Sequence, residues 1–170
     1  MGESYKEILD KAYNLAFSYE VSYGNCPQCV LRATKEIFNL DLDSVIKASH
    51  ELAGGGALSG NGTCGALAGG MMAIGFMYGR ALKDMDKGKF LKSHMLAKRL
   101  YDKFVEKFGS CICKEVQKKI FGRSSFNLWD PQDFMEFEEM GGHRDKCPDV
   151  TGNVARWVAE IILEEGKGKP

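Results

Sequence analysis

The sequence predicts an all-α protein, a single-domain helical bundle of about six to seven helices around a central glycine-rich helix. Apolar residues recur at spacings of three and four through most of the 170 residues, which is the period of a helix that buries one face. The alternating pattern of strands is missing, and so are strong internal repeats. A hydrophobic content of 44% over this length is enough to bury a core without disulfide bonds.

The apolar pattern places the helices in order along the chain. A first helix is predicted near residues 4–20, a second from Cys26 to about Leu40 and a short third near 42–52. Glycine-rich segments at 53–56 and 59–62 then end the pattern. The fourth and central helix runs from about Cys64 to Leu82.

The second half continues with a fifth helix near 90–108 and a sixth near 111–121. Residues 122–146 are predicted to be irregular, with an inserted flap or a short helix. A last amphipathic helix follows, to about Glu164. The domain therefore covers residues 1–165, and residues 166–170 are predicted to form a flexible tail.

The central helix is rich in glycine and carries no charge from Cys64 to Gly79. Its helical part is shorter than the roughly 20 residues that cross a bilayer, so a buried helix is predicted and a membrane span is not. Gly65 and Gly69, and again Gly75 and Gly79, are one helical turn apart. Each costs about 1 kcal/mol of helix propensity relative to alanine, so we expect this face to pack closely against another helix or against a second copy in a homodimer.

The charge pattern excludes several classes of partner. The formal net charge is zero and the pI is about 6.8, so no basic field favours nucleic acid or anionic lipid. The charged N-terminus lacks the apolar core of a signal peptide, and the chain is predicted to be cytoplasmic. In that compartment the six cysteines are expected to be reduced, metal-bound or catalytic.

The cysteines lie at predicted helix starts. Thr63 precedes Cys64, Asn25 precedes Cys26, and Ser110 precedes Cys111 in the manner of helix N-caps. The free backbone N–H groups and the helix dipole at such a position favour a thiolate. We therefore expect the pKa of Cys64 to lie below the usual value of about 8.5. We also expect the cysteines to face one common region.

Four of these residues stand in a recognisable order. They are Cys26 in Asn-Cys-Pro-Gln, Cys64 in Cys-Gly-Ala-Leu-Ala-Gly, Cys113 in Cys-Ile-Cys, and Cys147 in Lys-Cys-Pro. This order resembles the C_GCAxxG_C_C family of redox-active proteins. The resemblance implies a thiol-based redox function with these four as the catalytic residues. The box here is Cys-Gly-Ala where the family label has Gly-Cys-Ala, and Cys29 and Cys111 are additions, so which thiol of each close pair reacts stays open.

Metal binding is the alternative function. All six cysteines, Cys26, Cys29, Cys64, Cys111, Cys113 and Cys147, could ligate zinc or an iron–sulfur centre. His143, four residues before Cys147, and His50 could serve as a base or a ligand, whereas His94 is expected at the surface. Val30 follows Cys29, so the motif for covalent c-type haem is missing.

Two hypotheses from different classes follow. The first is a redox protein that exchanges electrons through dithiols or a thiolate-held metal centre, with a redox partner or small molecule that the sequence does not identify. The second is a non-catalytic protein that holds zinc or an iron–sulfur centre.

Overall fold

The computed structural model describes residues 3–123 and 126–166, and it confirms the all-α class. Within these residues there are eight α-helices and no β-strand, only an isolated antiparallel bridge between Thr63 and Ile112. The helices are α1 Tyr5–Tyr23, α2 Cys26–Phe38, α3 Asp43–Ala48, α4 Gly65–Tyr78, α5 Leu91–Phe108, α6 Cys113–Phe121, α7 Pro131–Glu139 and α8 Cys147–Glu164. A short π-helical turn, Gly142–Lys146, leads into α8.

The core is built from the apolar faces of α1, α2, α4, α5 and α8. Helix α8 packs along α1 so closely that a Cβ atom on Gly152 would come within 2.7 Å of the Tyr13 ring. Two polar interactions also join these helices. The Tyr13 hydroxyl donates a hydrogen bond to Asp149 at 2.7 Å, and Arg156 forms an ion pair with Asp10 at 3.0 Å. The start of α8 is thereby fixed against the middle of α1.

The central helix α4 packs closely through part of its glycine face. Cβ atoms on Gly65 and Gly69 would lie 2.6 Å from Cys26 Sγ and from the Pro27 carbonyl oxygen, so α2 crosses α4 at these two glycines. Gly75 does not pack against another helix of this chain, because an added Cβ there would meet nothing within 4 Å, and packing of this position against a second copy stays a prediction. Phe76 beside it is 46% exposed, so this side of the C-terminal end of α4 faces away from the core, whereas Met77 and Tyr78 still pack against it.

Several predicted boundaries differ from the structure. Helix α4 ends at Tyr78, four residues early, and α6 begins at Cys113 instead of residue 111. The predicted flap at 122–146 contains α7 and the π-helical turn. Of the predicted tail, residues 167–170 lie outside the described residues. No helix in the described segments is long and apolar enough to cross a membrane.

Candidate functional site

Four cysteines from distant parts of the chain stand at helix starts. Cys26, Cys113 and Cys147 are the first residues of α2, α6 and α8, and Cys64 is the residue just before α4. Pro27 and Pro148 follow two of them in positions that a first helical turn tolerates. The sequence therefore sets each cysteine at the end of a helix, and the packing of the helices decides where those ends meet.

The four helix starts meet around one small cavity. Its volume is about 20 Å³ and its walls include all four cysteines, which leaves room for about one water molecule. The remaining walls are almost entirely apolar, as shown by Ala66, Val116, Ile120 and Val150. We call Cys26, Cys64, Cys113 and Cys147 the cavity cysteines.

A backbone clamp fixes two of the cavity cysteines relative to each other. The N–H of Cys64 donates to the carbonyl of Cys111 at 2.7 Å, and the N–H of Cys113 donates to the carbonyl of Gly62 at 2.9 Å. A third bond runs from the N–H of Lys114 to the carbonyl of Gly60 at 2.9 Å. These bonds pair the loop segment that precedes α4 with the loop segment that precedes α6.

Burial dominates the acidity of these thiols, and the expected low pKa of Cys64 was wrong. Burial raises the pKa of Cys64 to about 11, although the amides of Ala66 and Leu67 favour its thiolate. Burial also raises the pKa of Cys26, Cys113 and Cys147 well above the usual value, and neighbouring cysteine charges raise each of them further. The helix start does favour the anion, but the apolar cavity removes more solvation than the dipole restores.

A buried carboxylate, Glu20 on α1, lies beside the cavity cysteines, and sequence analysis did not find it. Its side chain is 2% exposed, and its Oε2 atom has no hydrogen-bond partner among the described residues. Burial raises the pKa of Glu20 to about 7, opposed by a hydrogen bond with the Cys29 thiol. Its charge in turn raises the pKa of Cys26 and Cys147, so the carboxylate and these thiols are electrostatically linked.

His143 connects Glu20 to an open cleft. Its Nε2 atom is 4.0 Å from Glu20 Oε1, and its Nδ1 atom contacts the Glu138 carboxylate. The cleft has a volume of about 470 Å³, and Cys113, Cys147, Glu138 and His143 all line it. Cysteine thiols, an imidazole and a carboxylate therefore meet at a surface opening of ligand size.

The π-helical turn gives His143 this position. Gly141 adopts a left-handed conformation with φ 97°, and a Cβ on Gly142 would lie 2.2 Å from the Phe137 ring. The turn can therefore lie directly on α7 only with glycine at position 142. Turns of this type are frequent at functional sites.

The other predicted residues lie outside the cavity. Cys29 is buried beside Glu20, and Cys111 is partly buried next to Tyr101. His50 is bonded to Asn25 and Gln28 with a side chain 60% exposed, and His94 is exposed as predicted. Of the histidines, only His143 lies in a cleft that reaches cavity cysteines.

The arrangement of donors bears on the metal hypothesis. Over residues 3–123 and 126–166, no group of three or more His, Cys, Asp or Glu side chains is placed to hold a metal ion. The donor chemistry suits a soft metal, because four thiols line one cavity. The spacing does not suit one, and ligation by any of the six cysteines or by His143 stays a prediction.

The comparison with protein families agrees with the cysteine pattern. The family model described as "Putative redox-active protein (C_GCAxxG_C_C)" matches residues 24–161, a segment that contains all six cysteines and His143. No curated protein and no solved structure matches the chain. Because the family match covers most of the chain and includes every cavity cysteine, this protein belongs to the C_GCAxxG_C_C family.

Proposed function

We propose that this protein is a thiol-based redox protein in which the cavity cysteines cycle between thiols and disulfides. The observation that carries the proposal is their convergence, because four cysteines spread from residue 26 to residue 147 line one cavity of about 20 Å³. The redox class of the family supports the same function.

The acid–base properties of the site suit this chemistry. When two thiols form a disulfide, the pair loses two electrons to the oxidant and two protons. Burial holds the cavity thiols in their neutral form, and a disulfide is also neutral, so both end states avoid a buried charge. The thiolate that attacks is needed only transiently, and its formation requires a proton acceptor close to the cavity.

Glu20 is the proton acceptor that we infer. With a pKa of about 7 it is present in both its acid and its base form near neutral pH, which is the condition under which a general base works best. The pair of His143 and Glu138 lies between Glu20 and the cleft, so a proton taken from a thiol has a route to solvent. The cleft itself admits the oxidant or reductant to Cys113 and Cys147.

A peptide-resolved thiol count tests the proposal. Reduced protein is equilibrated in redox buffers of increasing potential, quenched with acid, alkylated and mapped by mass spectrometry. We expect disulfides to include cavity cysteines and Cys29 to remain a thiol, because its partner is the Glu20 carboxylate. If all six cysteines stay reduced throughout, at potentials up to that of a glutathione-disulfide buffer, the proposed function is wrong.

A metal centre held by the same thiols is the second candidate function. It is favoured by the convergence of four thiols on one cavity, because the thiolate forms that ligate a metal would repel one another there. A bound cation would relieve that repulsion. The cavity cysteines would be the ligands, and the group would supply a structural link as zinc or one-electron transfer as an iron–sulfur cluster. Elemental analysis and an absorption spectrum of anaerobically purified protein distinguish these cases from dithiol chemistry.

A further inference from the structure

We propose that Cys111, one of the two cysteines outside the family's four, is a surface exchange thiol that forms a disulfide with Cys64 and thereby links the buried cavity cysteines to an anionic disulfide of the glutathione type. This inference rests on the proposed function, because it assumes that the cavity cysteines are redox-active. It adds a second point of exchange, separate from the cleft, and a named pair of sulfurs.

The backbone clamp brings the two cysteines face to face. The bridge pairs Thr63 with Ile112 in antiparallel register, so the next pair along is Cys64 and Cys111, and the N–H of Cys64 donates to the carbonyl of Cys111 at 2.7 Å. Directly opposite residues in such a pair point to the same side, with Cβ atoms about 4.5–5.5 Å apart. A disulfide needs about 3.5–4.5 Å between Cβ atoms, so a small local movement closes the bond.

The clamp also holds this register firmly. Cys113 and Lys114 donate their N–H groups to Gly62 and Gly60 at 2.9 Å each, and the Lys114 ammonium donates to the Asn61 side chain at 2.9 Å. Ser110 accepts the N–H of Ile112 at 3.1 Å and shapes the turn before the bridge. Slippage by one residue would break these bonds and would turn Cys111 to the other side.

Cys64 is suited to connect the buried cavity cysteines with the partly exposed Cys111. It is 6% exposed and lines the cavity, whereas Cys111 is partly exposed and is not among the cavity walls. Cys64 is therefore the one cavity cysteine that has a partly exposed thiol directly opposite it in the clamp.

The charges that flank Cys111 in the sequence indicate the kind of molecule that it would meet. The flanking residues Glu106 to Lys119 carry four lysines, Lys107, Lys114, Lys118 and Lys119, and two glutamates, Glu106 and Glu115. The nearby carboxylate of Asp102 is already paired with Lys98. Among the described residues, the cleft at Cys113 and Cys147 is lined by Glu138 and by no lysine or arginine. An anionic disulfide is thus favoured at Cys111 and disfavoured in the cleft.

The exchange balances as an ordinary thiol–disulfide reaction. The Cys111 thiolate attacks one sulfur of the external disulfide RSSR, and the first RS⁻ leaves and takes up the proton that Cys111 released. Cys64 then attacks the Cys111 sulfur of the mixed disulfide, forms the Cys64–Cys111 bond and releases the second RSH with its own proton. Two protein thiols lose two electrons and RSSR gains them. Attack on Cys64 by another cavity thiol would move the disulfide inside and return Cys111 to a thiol.

The experiment compares two oxidants on the full-length protein. Oxidised glutathione is the anionic probe, and diamide is a small uncharged oxidant that the cleft can admit. In Cys111→Ser we expect oxidation of the cavity cysteines by glutathione disulfide to slow at least tenfold, while oxidation by diamide stays unchanged. Ser44→Ala, a small substitution at an exposed position on α3, is the control, and it is expected to leave the rate with glutathione disulfide within twofold.

Disulfide mapping gives the second measurement. Cys111 and Cys113 share one tryptic peptide, because cleavage falls after Lys107 and Lys114, so Cys113→Ser or peptide fragmentation assigns the bond. Samples of wild-type protein quenched early should contain the Cys64–Cys111 link, and Cys64→Ser should retain glutathione on Cys111. Two results together would overturn this inference and leave the proposed function standing. In Cys111→Ser the cavity disulfides would form at the wild-type rate, and in oxidised wild-type protein Cys111 would still be alkylated. The absence of any disulfide with either oxidant would overturn both.

Discussion

Replacement of Glu20 by glutamine tests the most unusual charge in the structure. The pKa of Glu20 is about 7 in the folded protein against 4.5 for an unperturbed glutamate. A carboxyl whose pKa is raised by folding binds its proton more tightly in the native state, so it does not weaken the fold below pH 4.5 and weakens it increasingly as the pH rises towards 7. A difference of about 2.5 units corresponds to roughly 3 kcal/mol of destabilisation above pH 7.

Urea unfolding of the reduced protein between pH 5 and pH 8 measures this effect. Glutamine keeps the shape and removes the charge, so the stability of Glu20→Gln relative to wild type should rise by about 2–3 kcal/mol over that interval. Any loss of the Cys29 hydrogen bond, about 1 kcal/mol, applies at every pH and cancels from the pH difference.

Glu115→Gln is the matched control, because it removes the same charge from an exposed position. Its stability relative to wild type should change by less than about 0.5 kcal/mol over the same range. If Glu20→Gln and wild type lose stability in parallel from pH 5 to pH 8, the pKa of the buried carboxylate is not raised to about 7.

Three further measurements test the packing and the thiols. Gly69→Ala should lower the free energy of unfolding by about 1–3 kcal/mol, because its Cβ would lie 2.6 Å from the Pro27 carbonyl oxygen. Gly75→Ala should raise the free energy of unfolding by up to about 1 kcal/mol. Equal effects of the two substitutions in thermal or urea unfolding would contradict the packing of α2 on α4. Alkylation of Cys64 in reduced apo protein should rise about tenfold per pH unit from pH 7 to pH 9.5 without levelling, because its pKa is about 11, and a plateau near pH 8 would show a low pKa. Ser4→Ala should cost about 0.5–2 kcal/mol, because Ser4 and Glu7 form a capping box on α1, and an unchanged unfolding midpoint would show that this helix end contributes nothing.

The helices could be predicted because their apolar period is strong, but their ends depended on contacts. Asp130 and Pro131 are an ordinary helix-start signal, and the Asp130 carboxylate accepts the N–H groups of Gln132 and Asp133. Helix α7 was therefore accessible to prediction from the sequence. The π-helical turn was not, because it depends on Gly142 lying against the Phe137 ring, which is a tertiary contact.

The candidate site shows the same division. Cap-type residues before the cysteines predicted the helix starts, although Cys64 and Ile112 stand at the caps of α4 and α6 in place of Thr63 and Ser110. The helix packing brought those starts to one cavity. Glu20 had a signal that was overlooked: the buried positions of α1 are Ile8, Ala12, Ala16 and Glu20, each four residues apart. An acidic residue in register with a buried stripe is a candidate for a perturbed pKa. Its contact with Cys29 and His143 could not be predicted, because it joins α1, α2 and the π-helical turn.

The wrong expectation for Cys64 bears directly on how the site would work. The helix start stabilises a thiolate, but burial costs the thiolate its solvation. At all four cavity cysteines the loss of solvation is the larger effect, so their pKa values are raised. Resting thiolates are therefore disfavoured at neutral pH in the metal-free protein, and we infer that a base that is charged at the same pH and equally buried makes these thiols reactive. Glu20 meets both conditions, and it lies outside residues 24–161 of the family match. In this chain the cysteine pattern supplies the sulfurs, while the residue that we infer sets their reactivity comes from the helix that precedes the pattern.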